Sequence, residues 1–192
     1  MSKKILHLAL VALLSGCVAG SNRVEVASDE PFSDTETSSK DLAVVSEQMV
    51  RSLLQLPQVS KASTPPRIAF SDVKNETNEI INKNLFIEKM RTLLLKNAAG
   101  RMVFLDREIS VDVEKERMNK RAGQVSAGAS KMKSGADYFL TGKLSSIDKQ
   151  SGGQRSTYTR YSFRLTDAES TDILWEDDYE VKKVGKAGLY DR

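Results

Sequence analysis

The chain has 192 residues, 40% of them hydrophobic, with 29 basic and 26 acidic side chains, one histidine and one cysteine. A formal charge of +3 spread over a chain of mixed charge gives no basic footprint for nucleic acid. The single cysteine excludes a disulfide within the chain, and the length fits one domain.

Residues 1–16 have the pattern of a signal peptide. Lys3 and Lys4 are followed by the apolar segment Ile5–Leu14, which is shorter than the ~20 residues that span a bilayer. The ending Leu14-Ser15-Gly16-Cys17 resembles a bacterial lipobox. It predicts cleavage before Cys17 and acylation of that residue. Several acyl chains, each gaining ~0.8 kcal/mol per buried methylene, would anchor the protein firmly.

The residue after the predicted lipid site bears on its destination. In the bacterial sorting pattern that this sequence resembles, Asp at that position retains a lipoprotein in the inner membrane, and here the residue is Val18. We therefore expect the outer membrane, with the protein facing the periplasm.

Processing would also limit the chemistry of the mature chain. It would remove His7, the only histidine, and consume the thiol of Cys17. Ser-His-Asp and Cys-His catalysis and zinc sites of His or Cys are then excluded. Gly152-Gly153 neither follows a predicted strand nor opens a helix, so it is not a phosphate loop. We expect no catalytic residue, no metal and no cofactor, although chemistry by carboxylates alone is not excluded.

Residues 17–40 are predicted to be the lipidated cysteine and a disordered linker. Few large apolar side chains and several acidic ones leave too little surface to bury. Such a coil would span ~26 Å on average and ~80 Å when extended. It would let an anchored domain meet a partner away from the membrane.

The globular domain is predicted over residues 41–184. Its first helix begins near Asp41, is capped by Ser38 or Ser39 and ends before Pro57. Its apolar stripe is Leu42, Val45, Met49, Leu53 and Leu56, at spacings of three and four.

A strand–helix–strand unit follows a Pro-containing linker at 61–66. The strand Ile68–Val73, a polar turn at Lys74–Thr77, a helix over Asn78–Ala98 and the strand Met102–Leu105 predict a parallel pair with a right-handed crossover. Gly100 is a candidate for the left-handed helix stop.

The rest of the chain is predicted to be one charged helix and three antiparallel strands. The helix covers Glu108–Ser134 with a break near Gly123 or Gly128. The strands are Ala136–Ile147, Ser156–Thr166 and Ile173–Val184, with a turn over Asp148–Arg155 and a flexible tail at 185–192.

The second of these strands alternates strictly in polarity. Tyr161, Phe163 and Leu165 should be buried, while Arg160 and Arg164 lie on the other face. The arginines are either solvated or paired with acidic residues of the next strand. The fold class is α/β, a single domain with a mixed four- to five-stranded sheet and helices on its faces, preceded by the lipidated tether.

Three segments of this sheet resemble the LpoB family of penicillin-binding protein activators. They are Gly135–Gly142 (GADYFLTG), Phe163–Asp167 (FRLTD) and Ile173–Glu176 (ILWE). The resemblance implies a non-enzymatic outer-membrane lipoprotein that docks on a regulatory domain of a bifunctional penicillin-binding protein and stimulates peptidoglycan synthesis. No nucleic acid and no metal are expected as partners.

The same resemblance implies a docking patch of Arg91, Thr141 and Asp172. Thr141 stands where the family pattern has a tyrosine, which removes an aromatic anchor. Tyr138 or Tyr158 could replace it.

Two other classes of function stay open at this point. The Gly-Ala-Asp-Tyr strand also resembles curli-secretion channel lipoproteins of the CsgG type, which implies a channel subunit or a periplasmic scaffold. Arg160 and Arg164 argue against membrane hairpins, because a charge on a lipid face costs ~2–4 kcal/mol at the midplane. A glycan hydrolase would need two carboxylates ~5–10 Å apart, and the sequence reveals no such pair.

Overall fold

The computed structural model describes residues 23–29, 34–126 and 134–187. It has an α/β fold with a five-stranded mixed sheet in the order β2-β1-β3-β4-β5, as the sequence predicts. The elements are α1 (Ser39–Leu54), α2 (Pro57–Ser60), β1 (Arg67–Glu76), α3 (Asn84–Ala98), β2 (Val103–Leu105), α4 (Ser110–Arg121), β3 (Tyr138–Ser151), β4 (Gln154–Asp167) and β5 (Ile173–Lys186).

The predicted parallel pair is confirmed. β1 pairs with β2 in parallel, Ile68 opposite Phe104, and on its other side it pairs in parallel with β3. The predicted turn at Lys74–Thr77 is wrong, because β1 continues to Glu76 alongside β3.

The helix predicted from Asn78 therefore begins later, at Asn84. The intervening turn is organised by Asn75, whose Oδ1 accepts from the Thr77 amide at 3.1 Å and whose Nδ2 donates to the Glu79 carbonyl at 2.8 Å. At its other end α3 stops at Ala99, which has φ 48°, one residue before the predicted Gly100, whose φ is also positive.

The three C-terminal strands are longer than predicted. β3 and β4 are joined by Gly152-Gly153 alone, with φ of 58° and 75°, the two positive values that a tight hairpin turn needs. The residues predicted to belong to this turn instead pair in the ladder, with Asp148 opposite Thr157. The first strand begins at Tyr138 rather than Ala136, and the last continues to Lys186.

Helices α1 and α3 pack together on one face of the sheet. The core joins Met49 and Leu53 of α1 and Met90 of α3 to the strands, and the predicted inward residues of β4, Tyr161, Phe163 and Leu165, are buried in it. The rings of Phe86 and Tyr161 lie 5.5 Å apart. Trp175 of β5 donates its Nε1–H to Ser52 of α1 at 2.9 Å, which fixes the edge strand to the helix. Truncating one of these large core side chains to Ala would cost about 2–5 kcal/mol.

The predicted helix over Glu108–Ser134 is shorter in the structure. α4 is Ser110–Arg121 and none of its residues is buried. The chain leaves it through Gly123, φ 72°, at one of the two predicted breaks. The other break, Gly128, lies outside the described residues.

The start of the first helix agrees with the prediction of a helix that begins near Asp41 and is capped by Ser38 or Ser39. α1 begins at Ser39, and Ser38 caps it in a capping box with Asp41. Residues 34–38, which the sequence places in the linker, lie against the domain. The signal segment 1–16 and Cys17 lie outside the described residues. No helix within the described ranges is long and apolar enough to cross a membrane.

Candidate docking surface

One face of the C-terminal strands carries exposed polar and charged side chains. Because neighbouring strand residues alternate between faces, the side chains opposite the helix-packed face come from alternate positions. We call this surface the exposed sheet face. Its residues include Phe139, Thr141, Lys143, Ile147, Tyr158, Arg160, Ser162, Arg164, Glu176, Asp178, Glu180, Lys182 and Val184.

Cross-strand ion pairs organise this face. Arg160 Nε lies 2.7 Å from Asp178 Oδ2 and 3.9 Å from Glu180 Oε1, and Arg164 Nη2 lies 3.4 Å from Glu176 Oε1. Of the two alternatives that the sequence leaves for the arginines, pairing with β5 is therefore the one observed, although the pairs stay exposed. Solvent screens exposed pairs of this kind, so they add little stability and leave charges available to a partner.

Tyr158, the tyrosine on this face, is hydrogen-bonded to one of these charged residues. Tyr158 donates its hydroxyl to Glu180 Oε1 at 2.7 Å. This hydrogen bond, with a smaller effect of burial, raises the pKa of Tyr158, which therefore presents a neutral hydroxyl at neutral pH.

Apolar side chains and a shallow groove complete the surface. Phe139 is 38% exposed and Ile147 is 59% exposed. A groove of about 240 Å³ runs between Lys143, Tyr158 and Arg164. A face with a few exposed apolar groups among oriented charges is suited to binding a protein partner.

Two of the five predicted docking residues, Thr141 and Tyr158, lie on the exposed sheet face. Thr141 lies on the exposed sheet face opposite Arg164, and Tyr158 lies on it opposite Ile147. Six positions of β4 separate Arg164 from Tyr158, or about 20 Å at the usual rise of a strand. The two predicted residues therefore mark opposite ends of one surface.

Tyr138, Arg91 and Asp172 lie elsewhere. Tyr138 starts β3 and packs partly against the core. Arg91 on α3 lies 4.0 Å from Glu108, which follows the edge strand β2, whereas Asp172 precedes β5 at the opposite edge of the sheet. The described structure shows no contact that joins Arg91, Thr141 and Asp172 into one patch.

The loop that holds Asp172 is ordered by its own hydrogen bonds. Asp172 accepts from the Ser170 hydroxyl at 2.7 Å, and its carbonyl accepts from the Asp167 amide at 2.9 Å. The backbone amides of Ser170 and Glu169 donate to the carboxylate of Asp167 and hold its pKa below the usual value. Asp172 is thus presented on a structured loop.

The sequence does not reveal a partly buried polar cluster around Asp148. Asp148, predicted to lie in a turn, is in β3 and receives hydrogen bonds from Thr157 at 2.6 Å, Asn78 at 2.8 Å and Arg155 at 3.2 Å. Burial opposes its ionisation, but these donors outweigh it and lower the pKa of Asp148.

The Ser38-x-x-Asp41 capping signal was the one sequence feature that pointed to order just before α1.

Within the described ranges, no group of three or more His, Cys, Asp or Glu side chains could hold a metal ion.

Residues 41–181 match the model of a protein family described as the peptidoglycan-synthase activator LpoB. This match covers well over half of the chain. The chain belongs to the LpoB family. No curated protein matches the sequence.

Among solved structures, the chain is similar to the LpoB C-terminal domain from Escherichia coli, with 17% identity and a TM-score of 0.45, covering 73% of this chain and 98% of that one. It is similar to the LpoB C-terminal domain from Salmonella enterica at 15% identity and a TM-score of 0.43, with the same coverage. The NMR structure of E. coli LpoB is matched over 90% of this chain and 78% of that one, at 14% identity and a TM-score of 0.41.

Membership of the LpoB family decides between the classes that the sequence left open. The protein is a peptidoglycan-synthase activator, and LpoB-family activators are non-catalytic regulators. A peptidoglycan synthase is accordingly its partner, and the channel subunit and the glycan hydrolase are set aside.

Proposed function

We propose that the protein is an outer-membrane lipoprotein that is acylated on Cys17 and binds the regulatory domain of a bifunctional class A penicillin-binding protein. The lipobox and Val18 support the anchor and its destination. The segment before residue 34 is the tether that carries the domain into the periplasm. The family match to a synthase activator is the observation that carries the proposal.

The exposed sheet face is the docking surface that the geometry favours. Thr141 and Tyr158 lie on it, and the charges between them are held in defined positions by Asp178, Glu180 and Glu176. A partner that binds one conformation of the synthase more tightly than another shifts the synthase toward that conformation, so stimulation needs no catalytic group on the activator.

Arg91, Asp172 and Tyr138 remain candidate docking residues. Arg91 and Asp172 keep the residue types that the family resemblance implies. Because they lie at different edges of the sheet, a partner that touched both would have to extend across the domain. We expect the exposed sheet face to contribute more of the binding free energy than either of them alone.

Binding of the full chain, in detergent, to the purified regulatory domain tests this assignment. Arg164→Glu reverses one charge of the exposed sheet face, and we expect the dissociation constant to rise at least tenfold. The matched control is Arg121→Glu at the exposed end of helix α4, which should leave the dissociation constant unchanged. Equal affinity of the Arg164→Glu variant and the original chain would place docking elsewhere, and Arg91→Glu and Asp172→Lys would then locate it.

A further inference from the structure

Residues 34–38, which we call the clasp, attach to the sheet by hydrogen bonds rather than by apolar burial. Thr35 is only 4% exposed and its hydroxyl lies 2.8 Å from that of Thr157 in β4. The hydroxyl of Thr37 lies 2.9 Å from that of Tyr161, which is four residues after Thr157 in β4. The clasp sequence DTETS contains no large apolar side chain, so these bonds hold it in place.

The backbone of the clasp is held as well. The Thr37 amide donates to Glu79 Oε2 at 2.9 Å, and Lys183 Nζ donates to the Glu36 carbonyl at 2.6 Å. The same ammonium group lies 2.5 Å from the carboxylate of Asp41, which is mostly buried at the start of α1. Lys183 therefore joins the clasp, α1 and β5.

The hydroxyl contacts form a relay that ends on a carboxylate. A threonine hydroxyl has one proton, and Thr157 lies 2.6 Å from Asp148, which accepts it. Thr35 must then donate to Thr157. Burial raises the pKa of the Tyr161 hydroxyl, so this group keeps its proton and can donate to Thr37. The Tyr161 hydroxyl is thus paired with Thr37 only while the clasp is in place, whereas Thr157 keeps its bond to Asp148 in either state.

A pull on the N-terminal segment first meets two exposed contacts with the start of α1, Ser39 Oγ to the Val26 carbonyl at 2.7 Å and Lys40 Nζ to Asp29 at 2.6 Å. Once these exposed contacts open, the clasp is the next attachment to receive the pull. It continues directly into α1 at Ser39, and Thr35, its outermost attachment, lies near the β3–β4 hairpin. Its bonds are few and separate, whereas the domain beyond it is held by a continuous core. Elements with few apolar contacts open before the cooperative core does.

We propose that the clasp is a tension-releasable strap that stores a reserve of tether length. This inference rests on the proposed anchoring at Cys17. With the contacts of Val26 and Asp29 open and the clasp in place, the span from Cys17 to residue 33 reaches roughly 58 Å when extended, and release of residues 34–38 adds roughly 17 Å. The domain therefore stays folded while its reach toward a distant partner increases, and release uncovers the hydroxyls of Tyr161 and Thr157.

The proposal is tested by pulling single molecules of the full chain produced without lipidation. The one cysteine, Cys17, provides one attachment point and the C-terminus provides the other. We expect an extension of roughly 1.5–2 nm at a lower force than the main unfolding event, and its loss in the Thr35→Val/Thr37→Val double variant. Thr92→Val, an exposed position of α3, is the matched control and should keep the event.

A second measurement covers the case in which the double variant does not fold. Amide exchange in the original chain should show protection at Thr37, and Glu79→Gln should weaken it several-fold without changing exchange in β4. A single unfolding event with no earlier extension, or the same extension in the double variant, would overturn the strap. Because no synthase or membrane is present, either result leaves the activator function and the docking surface untouched.

Discussion

Gly142 and Phe163 lie opposite each other in the β3–β4 ladder, and the ring of Phe163 occupies the space that a side chain at position 142 would need. A Cβ at Gly142 would lie 2.6 Å from Phe163 Cε1 and 3.1 Å from a methyl group of Val73. The glycine is therefore required for the packing of the sheet onto its core.

Gly142→Ala should lower the free energy of unfolding by about 1–3 kcal/mol, because the ring must move within a packed core. Urea denaturation of the variant measures the effect. Gly135→Ala is the matched control, since nothing lies within 4 Å of its Cβ, and it should unfold at the same urea concentration as the original chain. A Gly142→Ala variant as stable as that control would show that Phe163 has room to move.

Ser52→Ala should destabilise the attachment of β5 to α1. It leaves the mostly buried indole N–H of Trp175 without its acceptor, at a cost of about 1–3 kcal/mol. Unfolding followed by the fluorescence of the single tryptophan measures the change. Ser60→Ala on the exposed surface of α2 should have no effect, and an equal effect of the two substitutions would contradict the role of the hydrogen bond.

The lowered pKa of Asp148 predicts a specific loss of stability in acid. A carboxyl group with a lower pKa in the folded protein stabilises it above the unfolded pKa, about 3.9, and this contribution fades as the pH falls through the folded value. We expect thermal stability to fall below about pH 4. Asp148→Asn should remove part of the stability at pH 7 and flatten this acid decline, whereas a decline as steep as in the original chain would assign it to other groups.

Substitution of Cys17 tests the anchor. Cys17→Ala should abolish labelling by a palmitate analogue and release the protein from the outer-membrane fraction of bacterial cells. Val18→Asp should keep the label and move the protein to the inner-membrane fraction. A Cys17→Ala protein that still fractionated with the outer membrane and carried the label would refute lipidation at this residue.

The alternation of Tyr161, Phe163 and Leu165 was enough to predict β4, because period-two patterning directly reflects one buried face. Asn75 and Asp148 were placed in turns because they are polar and flank turn residues, yet both lie in strands that pair with a neighbour. Local polarity does not reveal such pairing.

The clasp could not be predicted for a related reason. Thr35 and Thr37 find their partners more than a hundred residues away, at Thr157 and Tyr161, and their burial depends on hydrogen bonds rather than on hydrophobicity.

The candidate docking residues come from a family resemblance. It indicates positions in the sequence but not how far apart those positions lie in the folded domain. The sheet order is what separates Arg91 from Asp172.

This chain belongs to a family of peptidoglycan-synthase activators that are non-catalytic regulators. The most direct measurement is the initial rate of glycan polymerisation by a purified bifunctional penicillin-binding protein, with and without the full lipidated chain in detergent. We expect a several-fold increase that saturates with added chain, no polymerisation or glycan cleavage by the chain alone, and a smaller increase with Arg164→Glu. An unchanged rate at concentrations where the two proteins bind each other would contradict activation of this synthase by the chain.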